Sequence, residues 1–273
     1  MLILTQKGNP VAILKSLDDD SHVKTRIMQY EALKNGIGEE VAKKFVIAKA
    51  EGYDKVLRKY GLKPIGFVKD EINAIHSDDE KTLRRMLTSY ESKYSRKYFS
   101  QIFEMFDNEI RPQGRKTFLA YDGLNNTFNL AYEILRWKVH IALLKAKLEP
   151  FLGFLHSLQF GKPSLACDFQ ELYRYLIDDF IIGYCKDLNK RDFAYKTEKR
   201  SNKKGKRQYL KDNLANEFTD KLNNYFLSKV SIPRIKVGTQ QEIETLINEE
   251  ALLFAKYLRG ERPTWIPRIA DLK

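Results

Sequence analysis

Apolar residues recur at helical spacing along most of the chain, and the exceptions sit at its start. Leu2-Ile3-Leu4 and Val11-Ala12-Ile13-Leu14 read as two short strands around a Lys7-Gly8-Asn9-Pro10 turn. A lone hairpin is marginal in water, so this one needs a surface to pack on or further strands beside it. From about residue 20 the pattern becomes helical: Val23, Ile27, Tyr30 and Leu33, then Val41, Phe45 and Ala48. His76-Ser77-Asp78-Asp79-Glu80 is a polar joint with a Ser or Asp cap and acids for the first turn of the next helix. That helix carries Leu83, Leu87, Tyr90, Tyr94 and Tyr98. Residues 109–123 read as loop, and a long helix follows over 125–147, with Phe128, Ala131, Leu135, Val139 and Ala142 inward. Gly153, Gly161 and Pro163 interrupt the next stretch. One helix is expected to carry Leu165, Phe169, Leu172, Leu176 and Phe180, and residues 209–228 and 240–258 complete the set. The expected fold is mainly α: a hairpin over 1–16 and a multi-helical domain over 17–273.

Composition narrows the function. The 273 residues are 43% hydrophobic and 12% aromatic, enough for a core and against global disorder. Forty-eight Lys and Arg against 36 Asp and Glu give a net charge of +12, which favours a polyanionic partner. Residues 196–211 hold eight Lys or Arg and one acid, so +7 of that excess lies in one short segment. With few apolar residues it reads as a mobile or disordered loop available to nucleic-acid phosphates. Cys167 and Cys185 are too few for a disulfide framework or a four-ligand zinc site, and a reducing cytoplasm is expected. No signal-peptide pattern and no run of about 18 apolar residues is present, so no membrane association is expected.

The chemistry-bearing stretch runs Gly153-Phe154-Leu155-His156, Gly161-Lys162-Pro163-Ser164-Leu165, and Asp168-Phe169-Gln170-Glu171-Leu172-Tyr173-Arg174. Asp168 and Glu171, three apart, are expected to share a helix face beside the apolar stripe. Two carboxylates in such a place repel and lose hydration unless a cation or a proton compensates. Upstream, Glu91 lies beside Leu87, Tyr94 and Tyr98, with the small residues Thr88, Ser92 and Ser95 around it. No Ser–His or Cys–His nucleophile pair is visible.

These motifs resemble the CRISPR-associated integrase family, the endonuclease and strand-transfer enzymes of spacer acquisition. The family pattern is G-F-L-H, then G-x-x-S-L, then D-x-x-E-x-x-R, matched here by His156, by Gly161 with Ser164 and Leu165, and by Asp168, Glu171 and Arg174. An upstream glutamate followed by basic and aromatic residues matches Glu91, Lys93, Tyr94, Arg96, Lys97 and Tyr98. An Asp-x-x-Asn helix start with an aromatic-rich helix matches Asp122, Asn125, Tyr132 and Leu135. The resemblance implies metal ligands Glu91, His156 and Glu171, with Asp168 beside them as a fourth catalytic residue. It implies Mn²⁺ or Mg²⁺; two carboxylates and an imidazole suit Mn²⁺, whereas Mg²⁺ prefers oxygen ligands and retained waters. It implies action on CRISPR repeat and spacer-precursor DNA, a small ferredoxin-like adaptation protein as partner, and a homodimer built by a β-rich N-terminal domain, of which residues 1–14 match only a final hairpin.

For each residue a plainer reading stands beside the functional one. Glu91 by itself would be a surface helix glutamate, and His156 a packed or surface histidine. Asp168 or Ser164 can cap the helix that follows. Arg174 is a phosphate clamp or an ion-pair partner for a carboxylate one turn away. Lys93, Arg96, Lys97, Lys203, Lys204, Lys206 and Arg207 are candidate DNA contacts or a solvated basic face. His22, His76 and His140 read as structural, Cys167 as a small core residue, and Tyr94 and Tyr98 as core residues or stacking platforms for a displaced base. The alternatives to a DNA integrase are a non-catalytic nucleic-acid-binding protein, a structural subunit, or a transposon-encoded integrase with the same site.

Overall fold

In the computed structural model, which describes residues 2–4, 10–13, 23–118, 120–157, 159–200, 203–233 and 240–272, helices dominate. In chain order they are α1 (Val23–Glu31), α2 (Ile37–Lys59), α3 (Lys69–Asn73), α4 (Glu80–Ile102), α5 (Gly123–Lys145), α6 (Ser164–Gln170), α7 (Arg174–Cys185), α8 (Asp212–Phe226) and α9 (Ile243–Leu258). The described strands form three two-stranded antiparallel sheets. β1 (Leu2–Leu4) pairs with β2 (Pro10–Ile13), β3 (Phe193–Arg200) with β4 (Lys203–Leu210), and β5 (Lys229–Ser231) with β6 (Gln240–Glu242). The mainly α expectation holds, and the two N-terminal strands pair as expected; most of their turn lies outside the described residues. Among the described residues no helix is long and apolar enough to cross a membrane.

α2 is the organising element because it has almost no polar face over its middle. Val41, Ala42, Phe45, Val46, Ala48, Ala50, Tyr53, Val56 and Leu57 are all buried. It packs on α4 and on α7. The second contact is close: a Cβ on Gly52 would come 2.7 Å from the Tyr175 ring, so only glycine lets the two helices approach this far.

α4 begins where the polar joint predicts. The Asp79 carboxylate accepts the Thr82 N–H at 2.8 Å, satisfying one of the unpaired donors of the first turn. Leu83, Leu87, Tyr94 and Tyr98 point inward. α5 is capped in the same way by Asp122, which accepts the Asn125 N–H at 2.7 Å, and buries the five apolar residues expected of it. Behind α6, the rings of Phe45, Phe169, Phe254 and Trp265 form one aromatic cluster, with centroids 4.7–5.9 Å apart. It joins α2, α6, α9 and the C-terminal segment, and it gives the acid-bearing α6 a rigid backing.

Three expectations are corrected. α1 forms, but Val23, Ile27 and Tyr30 are exposed, while Thr25 and Gln29 are buried. Gln29 turns inward because its amide has partners: it donates to the Glu149 and Leu152 carbonyls at 3.0 and 2.9 Å and accepts the Glu149 N–H at 2.8 Å. The single helix expected over residues 165–180 is two helices, α6 and α7. Between them the Glu171, Leu172 and Tyr173 N–H groups bond to carbonyls three residues back, which tightens the turn. The basic segment 196–211 is no loop in its described part, because β3 and β4 run through it in register from Phe193 against Leu210 to Arg200 against Lys203. This hairpin docks on the start of α5: Gln208 N–H donates to the Tyr121 carbonyl at 2.8 Å, and Asn126 donates to the Gln208 carbonyl at 2.7 Å.

Candidate metal centre

Glu91 on α4 and Glu171 at the end of α6 meet at one buried cation, Lys49 of α2. The Lys49 side chain is 4% exposed; its Nζ donates to Glu91 Oε1 and lies 2.6 Å from Glu171 Oε2. Ser95, one turn beyond Glu91, donates to the same Glu91 oxygen at 2.9 Å. Burial pushes the Glu91 carboxyl up, but the Lys49 ammonium and the hydrogen bonds from Lys49 and Ser95 outweigh it and hold the group down at about 2. Lys49 itself is disfavoured as an ion by burial, yet Glu171 and Glu91 raise it above the ordinary lysine range. Glu171 Oε1 is paired with Arg174 at 3.1 Å, whereas its buried Oε2 receives no aligned hydrogen bond.

Asp168 does not share a face with Glu171. The break after Gln170 sends Glu171 towards α2, while Asp168 reaches the loop ahead of α6. Fully buried, it accepts the N–H groups of Phe154, Leu155 and His156 at 2.6, 3.0 and 2.9 Å and contacts His156 Nδ1 at 2.7 Å. Three amide N–H groups thus converge on this one carboxylate. It caps no following helix: the residue preceding α6 is Pro163, which makes no side-chain cap, and the Ser164 hydroxyl donates instead to the Ser157 carbonyl at 2.8 Å. Gly153 is required for this packing, since a Cβ there would lie 2.7 Å from the Ser164 carbonyl carbon and 2.8 Å from Asp168 Oδ2. Because the Asp168 carboxylate only accepts, the His156 Nδ1 facing it bears a hydrogen, so in the neutral imidazole Nε2 is the acceptor. Arg84 ties this loop to α4, donating to the His156 and Gly153 carbonyls at 3.0 Å each, two turns before Glu91 on the same helix.

A buried polar chain backs the acids. Tyr53 stacks on Tyr98 at 3.8 Å and hydrogen-bonds Ser95 at 3.2 Å. Tyr98 donates to Asp178 at 2.9 Å, and Tyr132 donates to the other Asp178 oxygen. Burial pushes the Asp178 carboxyl up to about 6, against the lowering effect of these two hydroxyls and of Arg174 and Arg115. Arg174 lies 4.5 Å over the Tyr132 ring. Of the two readings of Arg174, the ion pair with Glu171 is the contact present. Tyr94 and Tyr98 are both buried in the core.

The candidate DNA contacts fall into separate groups. Lys93, Arg96 and Lys97 lie exposed on α4, with Lys97 also donating to the Ile65 carbonyl at 3.1 Å. Lys206 is exposed on β4. Arg207 is corrected: at 1% exposure it is packing, not surface, with its guanidinium 4.7 Å over the Tyr121 ring and donating to the Ala120 carbonyl at 3.3 Å. The side chains of Lys203 and Lys204, and His22, lie outside the described residues. His76 pairs with Glu39 on the surface, and His140 is buried between Trp137 and Phe151.

The structure thus brings Glu91 to Glu171 and His156 to Asp168. Among the described residues no three His, Cys, Asp or Glu side chains form a ready-made metal cage. The donors nevertheless suit a divalent ion: two carboxylates already share a cation, one buried oxygen lacks an aligned hydrogen bond, and the imidazole is held in one tautomer by a carboxylate. Lys49 and Arg84 were missed in the sequence. The available signal for Lys49 was its place inside the run Val46-Ile47-Ala48-Lys49-Ala50, where its chain neighbours are all apolar.

Residues 1–223 match the family described as CRISPR associated protein Cas1. A CRISPR-associated endonuclease Cas1 from Korarchaeum cryptofilum is 25% identical over an alignment of 209 positions that covers 69% of this chain and 61% of that protein. The chain therefore spans 61% of that relative's length. Among solved structures, a casposase bound to integration product superposes with a TM-score of 0.77 at 22% identity, covering 100% of this chain and 75% of the other. A partial Cas6-RT-Cas1–Cas2 complex gives a TM-score of 0.79 at 17% identity, covering 100% of this chain and 81% of the other. These likenesses show a shared fold.

Proposed function

The chain belongs to the CRISPR associated protein Cas1 family, and from that premise we propose that it is a divalent-metal-dependent DNA endonuclease and integrase of CRISPR adaptation. The observation that carries the reading is the meeting of Glu91 and Glu171, from distant parts of the sequence, on one buried cation, with Arg84 tying the loop of the Asp168-bonded His156 to the helix that bears Glu91. Glu91, Glu171 and His156 are the proposed ligands. An Mn²⁺ or Mg²⁺ ion held by them supplies Lewis-acid polarisation of a phosphoryl oxygen and activates an oxygen nucleophile, water in hydrolysis and a DNA 3′-OH in strand transfer.

The protein's own groups have distinct work. Asp168 accepts the His156 Nδ1 hydrogen and so fixes Nε2 as the donor atom. Arg174 balances the charge of Glu171 from the side away from Lys49 and keeps its carboxylate oriented. Lys93, Arg96 and Lys97 on α4, with Lys206 on β4, draw DNA phosphates to the surface.

The proposed partners are CRISPR repeat and spacer-precursor DNA, a small ferredoxin-like adaptation protein and a second copy of the chain. Support for the protein partner is the fold shared with a Cas1-containing chain in complex with Cas2. A transposon-borne integrase with the same chemistry is the second reading, favoured by the fold shared with a casposase. The test is branched DNA with Mn²⁺, comparing wild type with Glu91→Ala and His156→Ala. Each substitution is expected to reduce cleavage and joining by about 100-fold or more; activity surviving both overturns the assignment.

A further inference from the structure

Lys49 stands on the two oxygens that the proposed metal site offers. Its side chain is 4% exposed, its Nζ bridges Glu91 Oε1 and Glu171 Oε2, and the second contact lacks hydrogen-bond alignment. We propose that Lys49 is an internal stand-in for the divalent ion, holding the two carboxylates together in the metal-free protein and competing with the ion for them. This rests on the reading of Glu91 and Glu171 as metal ligands.

A buried Glu171 and a half-buried Glu91 brought together without a counter-charge would drive the helices apart or take up a proton. Arg174 is ion-paired with Glu171 Oε1 and acts on Glu91 only at longer range, and among the described residues no arginine is ion-paired with Glu91. The ammonium answers that need from α2, whose other side chains at this level are apolar. It comes from a helix wedged between α4 and α7, so it holds both ligand-bearing segments to one scaffold. The arrangement has a cost. A divalent ion arriving at Glu91 and Glu171 meets a fixed positive charge at contact distance, in a place water screens poorly. Metal uptake therefore requires the ammonium to withdraw, and affinity is weaker than the donor set alone would give. In return, the acids are already gathered when the ion arrives.

The experiment titrates Mn²⁺ into the full chain by electron paramagnetic resonance, with thermal melts in EDTA and in Mn²⁺. Lys49→Met is expected to bind Mn²⁺ about tenfold or more tightly than wild type, since one charge removed at this range in a poorly screened site exceeds that factor. In EDTA it melts below wild type, and Mn²⁺ raises its Tm by more than it raises the wild-type Tm. A lysine that merely packs gives Lys49→Met equal or weaker Mn²⁺ binding, which overturns the proposal. If Lys49→Met does not fold in EDTA, the Lys49→Met/Glu91→Gln double variant, with one buried charge fewer, is expected to recover metal-free folding; failure to do so is equally fatal. Glu171→Ala separates the two levels. A wild-type Mn²⁺ site that Glu171→Ala abolishes but Lys49→Met does not tighten defeats the role of Lys49 alone. A protein whose Mn²⁺ binding is indifferent to Glu171→Ala defeats the metal site itself, and this proposal with it.

Discussion

Replacing Asp168 with alanine removes the acceptor for four hydrogen bonds at once. Three are buried backbone N–H groups, of Phe154, Leu155 and His156, and the fourth is His156 Nδ1. A buried donor left unsatisfied costs about 1–3 kcal/mol, and bonds to an ionised acceptor lie at the upper end. The loop edge is near enough to solvent for water to recover part of this, so the expected loss is about 3–5 kcal/mol, taken from the lower half of that range for three amides. Urea denaturation measures the total, and hydrogen exchange of the three amides locates it: their protection should collapse towards that of an open loop while the α5 amides stay slow. Asp168→Asn keeps one carbonyl oxygen and the side-chain volume, so it should retain part of the stability, but it no longer offers His156 an anion. Its Mn²⁺ affinity is expected to fall about tenfold or more, as for other groups that orient a ligand from behind. A loss under about 1 kcal/mol in Asp168→Ala, with the three amides still protected, would refute the view that this carboxylate builds the His156 loop.

Further outcomes follow from other contacts. Asp178, raised from 3.8 to about 6 chiefly by burial, keeps its proton in the folded state after the unfolded chain has lost it. Stability should therefore fall by roughly 3 kcal/mol as pH rises from about 4 to about 6 and level off above; melts across that range should show this slope in wild type and not in Asp178→Asn. Trp265→Ala empties the centre of the aromatic cluster and takes a 2.7 Å hydrogen bond from buried Glu250, so equilibrium unfolding should register a loss of about 3–5 kcal/mol. Lys206→Ala should reduce the log–log salt slope of DNA binding by about 1. Arg207→Ala, buried against Tyr121, should lower Tm and leave that slope unchanged.

How much was legible in the sequence depended on whether a feature was local. The Asp79 cap and the inward stripes of α4 and α5 follow from residues three or four apart, and they stand as read, while the Asp122 helix start came from the family pattern. The Glu171 turn carries no glycine or proline; it exists because α6 is seated on the aromatic cluster while α7 must pack along α2. The hairpin at 193–210 was hidden by its charge, since what orders it is docking through Gln208 and Asn126 onto α5, a contact between distant segments. Lys49 stood out in the sequence only as a lone charge in an apolar run, since the acids it meets come from distant segments. A lysine in a helix reads as solvent-facing until two glutamates from elsewhere are known to reach it. The α1 face was reversed because Gln29 found carbonyl partners at 149 and 152 that its own helix does not reveal.

The central claim, that Glu91, Glu171 and His156 serve one divalent ion, is tested most directly by anomalous diffraction from crystals soaked in Mn²⁺. A single strong peak bonded to both carboxylates and to His156 Nε2 is expected, with the Lys49 ammonium moved off Glu91 and Glu171. A peak elsewhere, or none with Nζ still bridging the two acids, would contradict it.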